Sequence, residues 1–263
     1  MTTVPQFGAL TAPPTWRTVD VISDLHLMPE EPATLAVWSR LMADSPADAI
    51  FILGDLFEAW IGDDAAVPGS FEGDCAEVLA RAAARVPVYF MHGNRDFLVG
   101  APFLTEHGVQ LLADPTVLDW AGARTLLTHG DLLCTDDVAY QNFRREVRSD
   151  AWQRAVLARP LAERQVMAQQ MRAQSIAQQA NGHIYAEIDV PLAREWLAGA
   201  DAGTLIHGHI HRPGDHVLGH NAAGQPLRQV VLSDWHIAGD DHRAQVLRLS
   251  SDGRLERIDL GPM

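Results

Sequence analysis

The stretch that decides the fold is Ala49-Ile50-Phe51-Ile52-Leu53-Gly54-Asp55, a short apolar run that stops at a glycine and an acid. Two further runs stop in the same way. Val19–Ile22 leads into Ser23-Asp24, and Val88–Met91 leads into His92-Gly93-Asn94. Short apolar runs bounded by turn residues are typical of buried strands. Their polar ends mark the place where ligands collect in α/β proteins, beyond the carboxyl ends of the strands.

Amphipathic patterns near residues 32–44 and 72–86 predict helices between these strands, so the order is β-α-β-α-β and the fold class is α/β. Further strands are predicted, in hairpin-like order, over residues 109–113, 116–120, 124–128, 204–206, 228–233 and 244–249. Residues 136–181 are rich in Gln, Ala, Arg and Met and are predicted to form a helical insertion over the sheet ends. Residues 1–15 are Pro-rich and patternless, which predicts a loose N-terminal arm before one domain over residues 16–263.

Composition excludes several classes of function. The net charge is −14, which argues against general nucleic-acid binding, because that binding depends on cationic contacts with phosphates. All 20 cationic side chains are Arg, and the absence of Lys excludes a Schiff-base lysine and a Walker-type phosphate loop. No apolar run is long enough to span a membrane, and no secretory signal is present. The two cysteines, Cys75 and Cys134, are expected to be reduced thiols in a cytosolic protein.

The charge is unevenly distributed along the chain. Residues 144–172 contain seven arginines and three acidic residues, which gives this stretch a charge of +4 in an otherwise acidic protein. A basic region of this kind indicates a local anionic partner.

Five polar clusters follow predicted strands. They are Asp24-Leu25-His26, Gly54-Asp55, Gly93-Asn94-Arg95-Asp96, Thr128-His129-Gly130-Asp131 and Gly208-His209-Ile210-His211. Taken singly, D-x-H and G-D are weak signals, because Asp and His often end strands as turn residues. Alternate histidines on a strand point to one face, so His209 and His211 are either a chelating pair or a polar strand edge.

Taken together, the clusters predict a centre of two divalent cations. Four His, two Asp and one Asn form a mixed nitrogen and oxygen ligand set for Mn, Fe, Zn or Co, and the ligand types do not choose among these metals. The absence of Cys at these positions argues against a structural zinc site. A carboxylate can bridge two such cations, which lower the pKa of a bound water and leave room for a phosphoryl oxygen. The local field of the cations also explains how an acidic protein would bind an anionic substrate.

This ordered set resembles the calcineurin-like metallophosphoesterase superfamily over about residues 18–235. The resemblance implies a four-layer α/β/β/α sandwich with two metals between the sheets. It places Asp24, His26 and His211 on one metal and Asn94, His129 and His209 on the other, with Asp55 as the bridge. Asn94 and His209 are also expected to contact substrate.

One departure from the superfamily pattern is Arg95, which stands where His usually follows the Asn. The surrounding stretches 54–64, 92–98 and 129–144 are similar to the UDP-2,3-diacylglucosamine pyrophosphohydrolase family of the lipid A pathway. This resemblance implies hydrolysis of the diphosphate of UDP-2,3-diacyl-glucosamine to 2,3-diacylglucosamine 1-phosphate and UMP, with manganese. The planar guanidinium of Arg95 is suited to bidentate phosphate binding, although it could instead pair with Asp96.

The resemblance also assigns a function to the helical insertion, as a lid that binds acyl chains. Its apolar residues recur at helical spacing: Trp152, Val156, Leu157, Leu161, Val166, Met167 and Met171. Taken alone, such a stripe is more often ordinary core. The neighbouring arginines would suit anionic headgroups, so the expected location is cytoplasmic, at the periphery of the inner membrane. The expected substrate contacts in the insertion are Asp137, Tyr140, Arg172, Ser175 and Gln179. Gln179 replaces the family's Asn, and the family's Lys has no counterpart near Gly182.

Two rival functions remain at this stage. One is another metallophosphoesterase reaction, on a non-lipid nucleotide diphosphate or phosphodiester. The other is a metal-dependent scaffold or binding protein without turnover, although all seven ligand positions are filled.

Overall fold

The computed structural model describes residues 4–180, 187–238 and 241–261, with the side chains of residues 174–180, 238 and 241 excepted. The strands in this part of the chain are β1 Gly8–Thr11, β2 Thr18–Ile22, β3 Ala49–Leu53, β4 Val88–Met91, β5 Val109–Leu112, β6 Thr116–Trp120, β7 Ala123–Leu127, β8 Thr204–His207, β9 Gly214–His220, β10 Pro226–Val231, β11 His236–Ala238, β12 Asp241–Arg243, β13 Gln245–Ser250 and β14 Leu255–Asp259. The helices are α1 Pro32–Asp44, α2 Phe71–Ala83, α3 Ala101–Glu106, α4 Val138–Val147, α5 Asp150–Leu157, α6 Leu161–Ala180 and α7 Val190–Gly199.

The first sheet, sheet I, has the strand order β14-β13-β2-β3-β4-β5. Strands β2 to β5 are parallel, as the predicted β-α-β-α-β order requires, and β13 and β14 extend the sheet in antiparallel pairs. β5 was predicted to belong to the hairpin-like group, but it pairs with β4 instead of β6. The carboxyl ends of β2, β3 and β4 therefore lie side by side, with a polar cluster after each strand.

The second sheet, sheet II, has the order β1-β6-β7-β8-β10-β9. Its edge strand β1 corrects the prediction of a loose arm over residues 1–15, because Gly8–Thr11 pairs in parallel with β6. Ala12 and Trp16, which follow β1, are buried in the core between the sheets. β1 has only four residues, so its side-chain pattern is too short to predict a strand from sequence. Backbone hydrogen bonds to β6 hold it in place.

Three separate hydrophobic cores show that the molecule has four layers. One core packs α1 and α2 on the outer face of sheet I and contains Trp38 and Phe90. The second lies between the two sheets and contains Phe51 and Val230. The third packs α7 on the outer face of sheet II, through Trp196. The predicted α/β/β/α sandwich is confirmed.

The helical insertion consists of α4, α5 and α6, between sheet II strands β7 and β8. Its helices lie within the predicted range of residues 136–181, of which residue 181 is outside the described residues. Val156 is buried, whereas several other large apolar side chains of the insertion are exposed. The exposed ones are Val138, Phe143, Leu157, Leu161 and Val166. None of the described helices is both long and apolar enough to cross a membrane.

A buried ion pair joins two strands of sheet I and leads to a stability prediction. Asp20 is fully buried, and Arg248 on the neighbouring strand donates to it from Nε at 2.7 Å and from Nη2 at 2.8 Å. We expect Arg248→Met to lower the free energy of unfolding by about 3 kcal/mol, because it leaves the carboxylate of Asp20 buried without its cation. Urea denaturation measures this change. The control is Arg254→Met at an exposed arginine, where we expect a change within about 0.5 kcal/mol. Equal stability of the two variants would contradict the prediction.

Candidate metal centre

Four of the five loops that carry the polar clusters are joined in pairs by backbone hydrogen bonds. The N–H of Asp24 donates to the carbonyl of Gly54 at 3.1 Å, and the N–H of His26 donates to the carbonyl of Asp55 at 3.0 Å. On sheet II, the N–H of Gly208 donates to the carbonyl of His129 at 2.9 Å. The loops after β2 and β3 therefore form one unit, and those after β7 and β8 form another.

Most of the predicted ligands have an unusual backbone conformation. Five of the seven have positive φ: Asp24 at 54°, His26 at 49°, Asp55 at 51°, His209 at 67° and His211 at 52°. A non-glycine residue with positive φ costs free energy and persists only where the surrounding structure holds it. These residues belong to the clusters after β2, β3 and β8.

Two motif glycines allow the loops to approach closely. A Cβ atom on Gly93 would overlap the backbone N and Oδ1 of Asp55. A Cβ atom on Gly208 would overlap the carboxylate of Asp24 and the hydroxyl of Ser23. Glycine is therefore required before Asn94 and before His209 for steric reasons.

The first group of converging side chains is Asp24, His26 and His211. Oδ1 of Asp24 lies 3.3 Å from Nε2 of His211, and Nε2 of His26 lies 3.3 Å from the same nitrogen. The carboxylate of Asp24 is fully buried and accepts the backbone N–H of His209 at 3.0 Å. One ligand atom from each of the three side chains can be placed around a single point.

The second group is Asn94, His129 and His209, and Asp55 lies between the groups. Oδ1 of Asn94 is 2.9 Å from Nε2 of His129 and 2.8 Å from Nδ1 of His209. Oδ2 of Asp55 is 3.7 Å from Nε2 of His129 and 4.0 Å from Nε2 of His26. Asp24, Asp55 and His129 also form a cluster able to hold a cation. The structure thus brings all seven predicted side chains together.

The electrostatics of the cluster favour a cation. Burial opposes protonation of His129, yet the carboxylates of Asp55, Asp24 and Asp131 raise its pKa to about 9. Burial together with the charge of His129 lowers the pKa of His209 to about 3. The buried negative charge that raises the pKa of His129 would be neutralised by bound divalent cations.

The donor chemistry fits two divalent cations. The donors are imidazole nitrogens, carboxylates and one amide oxygen, the set that suits borderline divalent metals. His129 directs Nε2 into the cluster because its Nδ1 lies 2.9 Å from the carbonyl oxygen of Leu53. His26 has a carboxylate beside its Nδ1 instead, with Oε2 of Glu58 at 3.0 Å in an ion-pair contact that lacks hydrogen-bond geometry. Such outer partners fix the ring orientation of metal-binding histidines.

Comparison with known proteins identifies the family. Residues 17–213 match the calcineurin-like phosphoesterase family. The chain belongs to this family. It is 45% identical to the UDP-2,3-diacylglucosamine hydrolase of Xanthomonas campestris pv. campestris strain B100, over 91% of this chain and 98% of that protein. It is 44% identical to the enzyme of the same name from Chromobacterium violaceum, over 92% of this chain and 99% of that protein.

Solved structures with low sequence identity also match the phosphoesterase. An archaeal phosphodiesterase is 11% identical with a TM-score of 0.45, and the match covers 92% of this chain and 99% of that one. Vacuolar protein sorting 29 from Cryptosporidium parvum is 14% identical with a TM-score of 0.45, over 94% and 92% of the two chains.

A cationic cluster of the phosphoesterase lies beside the seven side chains and is organised by Glu58. Nη1 of Arg95 lies 3.9 Å from Oε1 of Glu58, and Nε of Arg172 lies 3.2 Å from the same oxygen. Arg95 also donates its backbone N–H to Oδ1 of Asp55 at 2.8 Å. Both arginines were predicted from sequence, but Glu58 was assigned no function, because its neighbours His26, Arg95 and Arg172 come from distant parts of the chain.

Asp96, the residue offered as an alternative partner for Arg95, has a structural role. Its fully buried carboxylate accepts the backbone N–H groups of Gly93 and Leu56, each at 2.8 Å. Burial and the nearby charge of Asp55 raise its pKa to about 7. Asp96 therefore joins the loop of Asn94 to the loop of Asp55.

A second cluster attaches the helical insertion to the centre. Oδ2 of Asp131 accepts the hydroxyl of Tyr140 and Nε of Arg144, each at 2.7 Å. The ring of Tyr140 lies 5.8 Å from the ring of His209. Asp131 was visible in the fourth motif, but its contacts depend on burial that sequence does not reveal. The start of α4 is therefore placed next to the predicted ligand His209.

The remaining predicted contacts lie along the insertion. Asp137 caps α4 by accepting the N–H of Tyr140 at 2.9 Å. Ser175 and Gln179 lie further along α6, where the side chains are outside the described part of the structure. Gly182 is outside the described residues altogether.

Proposed function

We propose that this chain hydrolyses the diphosphate of UDP-2,3-diacylglucosamine, a step in lipid A biosynthesis. Water adds to one phosphorus, the bond between the bridging oxygen and that phosphorus breaks, and the products are UMP and 2,3-diacylglucosamine 1-phosphate. The observation that carries the proposal is the convergence of the seven predicted metal ligands next to two arginines, in a chain with a helical insertion that has exposed apolar residues. Its relatives with 44 to 45% identity are named UDP-2,3-diacylglucosamine hydrolases.

In this proposal the two groups of side chains hold two divalent cations. Asp24, His26 and His211 bind one, and Asn94, His129 and His209 bind the other. Asp55 bridges them, and manganese is the cation proposed. When bound, the cations would neutralise phosphate charge and would lower the pKa of a bound water to near neutrality.

The arginines position the diphosphate and stabilise its charge. Arg95 is held by its own N–H on the proposed bridging carboxylate, so its side chain starts beside the reacting centre. A guanidinium offers paired donors to two oxygens of one phosphate. These hydrogen bonds strengthen as charge develops on the two oxygens. Arg172 brings a second guanidinium from α6 to the same place. Asn94 and His209 contribute to the substrate site as well as to the cation site.

The helical insertion contacts the lipid part of the substrate in this proposal. Asp137, Tyr140, Ser175 and Gln179 join Arg172 as proposed substrate contacts. The exposed apolar residues of α4 to α6 lie in the same insertion as the arginines of residues 144–172. A surface that combines apolar and cationic side chains favours an anionic membrane surface, so the chain is proposed to act at the cytoplasmic face of the inner membrane.

Product identification with two matched substrates tests the function. Metal-depleted protein is incubated with UDP-2,3-diacylglucosamine or its deacylated counterpart, with and without Mn²⁺, and the products are identified by mass spectrometry. We expect UMP and 2,3-diacylglucosamine 1-phosphate only with Mn²⁺, and much slower turnover of the deacylated substrate. Equal turnover of both substrates would contradict the lipid part of the proposal, and no turnover of either would contradict the hydrolase.

A further inference from the structure

One carboxylate connects a predicted metal ligand to the helical insertion. Glu58 places Oε2 3.0 Å from Nδ1 of His26 and Oε1 3.2 Å from Nε of Arg172 on α6. The Glu58 side chain is only 14% exposed. Its backbone is also fixed, because its N–H donates to the carbonyl of Leu27 at 3.1 Å, next to His26.

We propose that Glu58 is a positioning residue that couples two events. They are cation binding by Asp24, His26 and His211 and the docking of α6, and each favours the other. This inference rests on the proposed function, because it requires that these three side chains bind a cation. It assigns Glu58 a role between the metal centre and the insertion, without direct contact with the reacting atoms.

The first half of the coupling acts through the ring of His26. The negative charge of Glu58, 3.0 Å from Nδ1, favours a proton on that nitrogen and so favours the tautomer in which Nε2 has a free lone pair for a cation. Nε2 is the atom that lies 3.3 Å from Nε2 of His211. Loss of the Glu58 charge would leave the ring free to turn and would weaken the cation site to which His26 belongs. The site of Asn94, His129 and His209 uses another outer partner, the carbonyl of Leu53, and would be little affected.

The second half of the coupling acts through Arg172. This residue lies in the middle of α6 and contacts both Glu58 and the sulfur of Met28, which is 3.3 Å from Nη2. The start of α6 has a separate attachment. Arg164, 3% exposed, donates to the carbonyl of Ile61 at 2.5 Å and to Oδ1 of Asp64 at 2.7 Å. Glu58 is thus a second attachment point, and it holds the middle of α6 through Arg172.

A simpler function for Glu58 would be to neutralise Arg95 and Arg172. In that case its loss would change substrate affinity through the arginines and leave cation binding unchanged. Because the two oxygens of Glu58 contact different partners, His26 on one side and the arginines on the other, the two functions can be separated by measuring Mn²⁺ binding without substrate.

The test uses Glu58→Gln, with Glu77→Gln as the matched control at a side chain that is 69% exposed. Metal-free full-length protein is titrated with Mn²⁺ and followed by calorimetry. Wild type and control should bind two equivalents, whereas Glu58→Gln should bind one of them about 10- to 100-fold more weakly and the other normally. Hydrogen exchange of α6 is measured in parallel. Mn²⁺ should slow it in wild type and have little effect in Glu58→Gln.

Arg172→Gln probes the coupling from the other side and leaves the loops of the metal centre unchanged. By reciprocity, this variant should weaken the same Mn²⁺ equivalent. Unchanged binding of both equivalents in Glu58→Gln, or equal weakening of both, would overturn the proposal, as would normal Mn²⁺ binding in Arg172→Gln. If wild type itself fails to bind two Mn²⁺, the proposed function fails first, and the two failures are therefore distinguishable.

Discussion

Replacing Asp55 with alanine is expected to lower turnover by about three orders of magnitude or more, the size typical of losing a member of an essential catalytic unit. Oδ2 of Asp55 lies between His26 and His129, which belong to different groups of proposed ligands. Its Oδ1 accepts the backbone N–H of Arg95. A single truncation therefore removes the bridge between both cation sites and the anchor of the neighbouring phosphate-binding residue. The measurement is the steady-state rate with UDP-2,3-diacylglucosamine under saturating Mn²⁺.

Asp252→Ala is a suitable control, since Asp252 is an exposed residue of the turn between β13 and β14. It should retain wild-type turnover. Near-normal activity of Asp55→Ala in a metal-replete preparation would show that Asp55 is not the bridge.

Replacing Arg95 with alanine is expected to slow turnover by about 100-fold while both cations stay bound, because removal of one donor to the transition state typically costs about this much. The Arg95 side chain lies beside Glu58, whereas its backbone N–H contacts Asp55. Truncation removes the guanidinium and keeps that backbone contact. The rate is measured with saturating Mn²⁺, and bound metal is measured on the same samples.

Arg95→Lys provides the informative comparison, because it restores the charge without the planar fork of donors. We expect its rate to lie between those of Arg95→Ala and wild type. If Arg95→Ala bound Mn²⁺ more weakly but reached the wild-type rate at saturating Mn²⁺, Arg95 would support the metal site instead of the phosphate.

The parts of the fold that sequence analysis predicted correctly have strong local patterns. β2, β3 and β4 are apolar runs buried on both faces, and each ends at a polar cluster. α1 and α2 show the helical periodicity of a surface helix with one buried face. Because parallel strands end at the same edge of a sheet, the order of motifs was enough to predict that their side chains meet.

The parts that were not predicted depend on tertiary contacts. β1 has four residues and is stabilised by its neighbour β6. α7 was not predicted, although its Trp196 is buried in the third core. The positive φ of five predicted ligands could not be predicted either, because a non-glycine residue seldom adopts it without support from its surroundings.

Within the site, the predicted residues came from motifs and the missed ones came from contacts between motifs. Glu58 is 32 positions from His26, and the two meet because the loops after β2 and β3 pair at Leu27 and Phe57. Asp131 lies in a quoted motif, but its partners Tyr140 and Arg144 reach it only because α4 docks there. Motif spacing predicts the side chains of the proposed cation sites. Only the three-dimensional structure shows which other residues hold those side chains in place.

The measurement that tests the central claim most directly is a titration of metal-free protein with Mn²⁺, in which bound metal and hydrolysis of UDP-2,3-diacylglucosamine are followed on the same samples. The account predicts negligible turnover without metal and a rate that rises until two Mn²⁺ are bound per chain. Full turnover in metal-free protein, or a maximal rate with a single bound Mn²⁺, would contradict it.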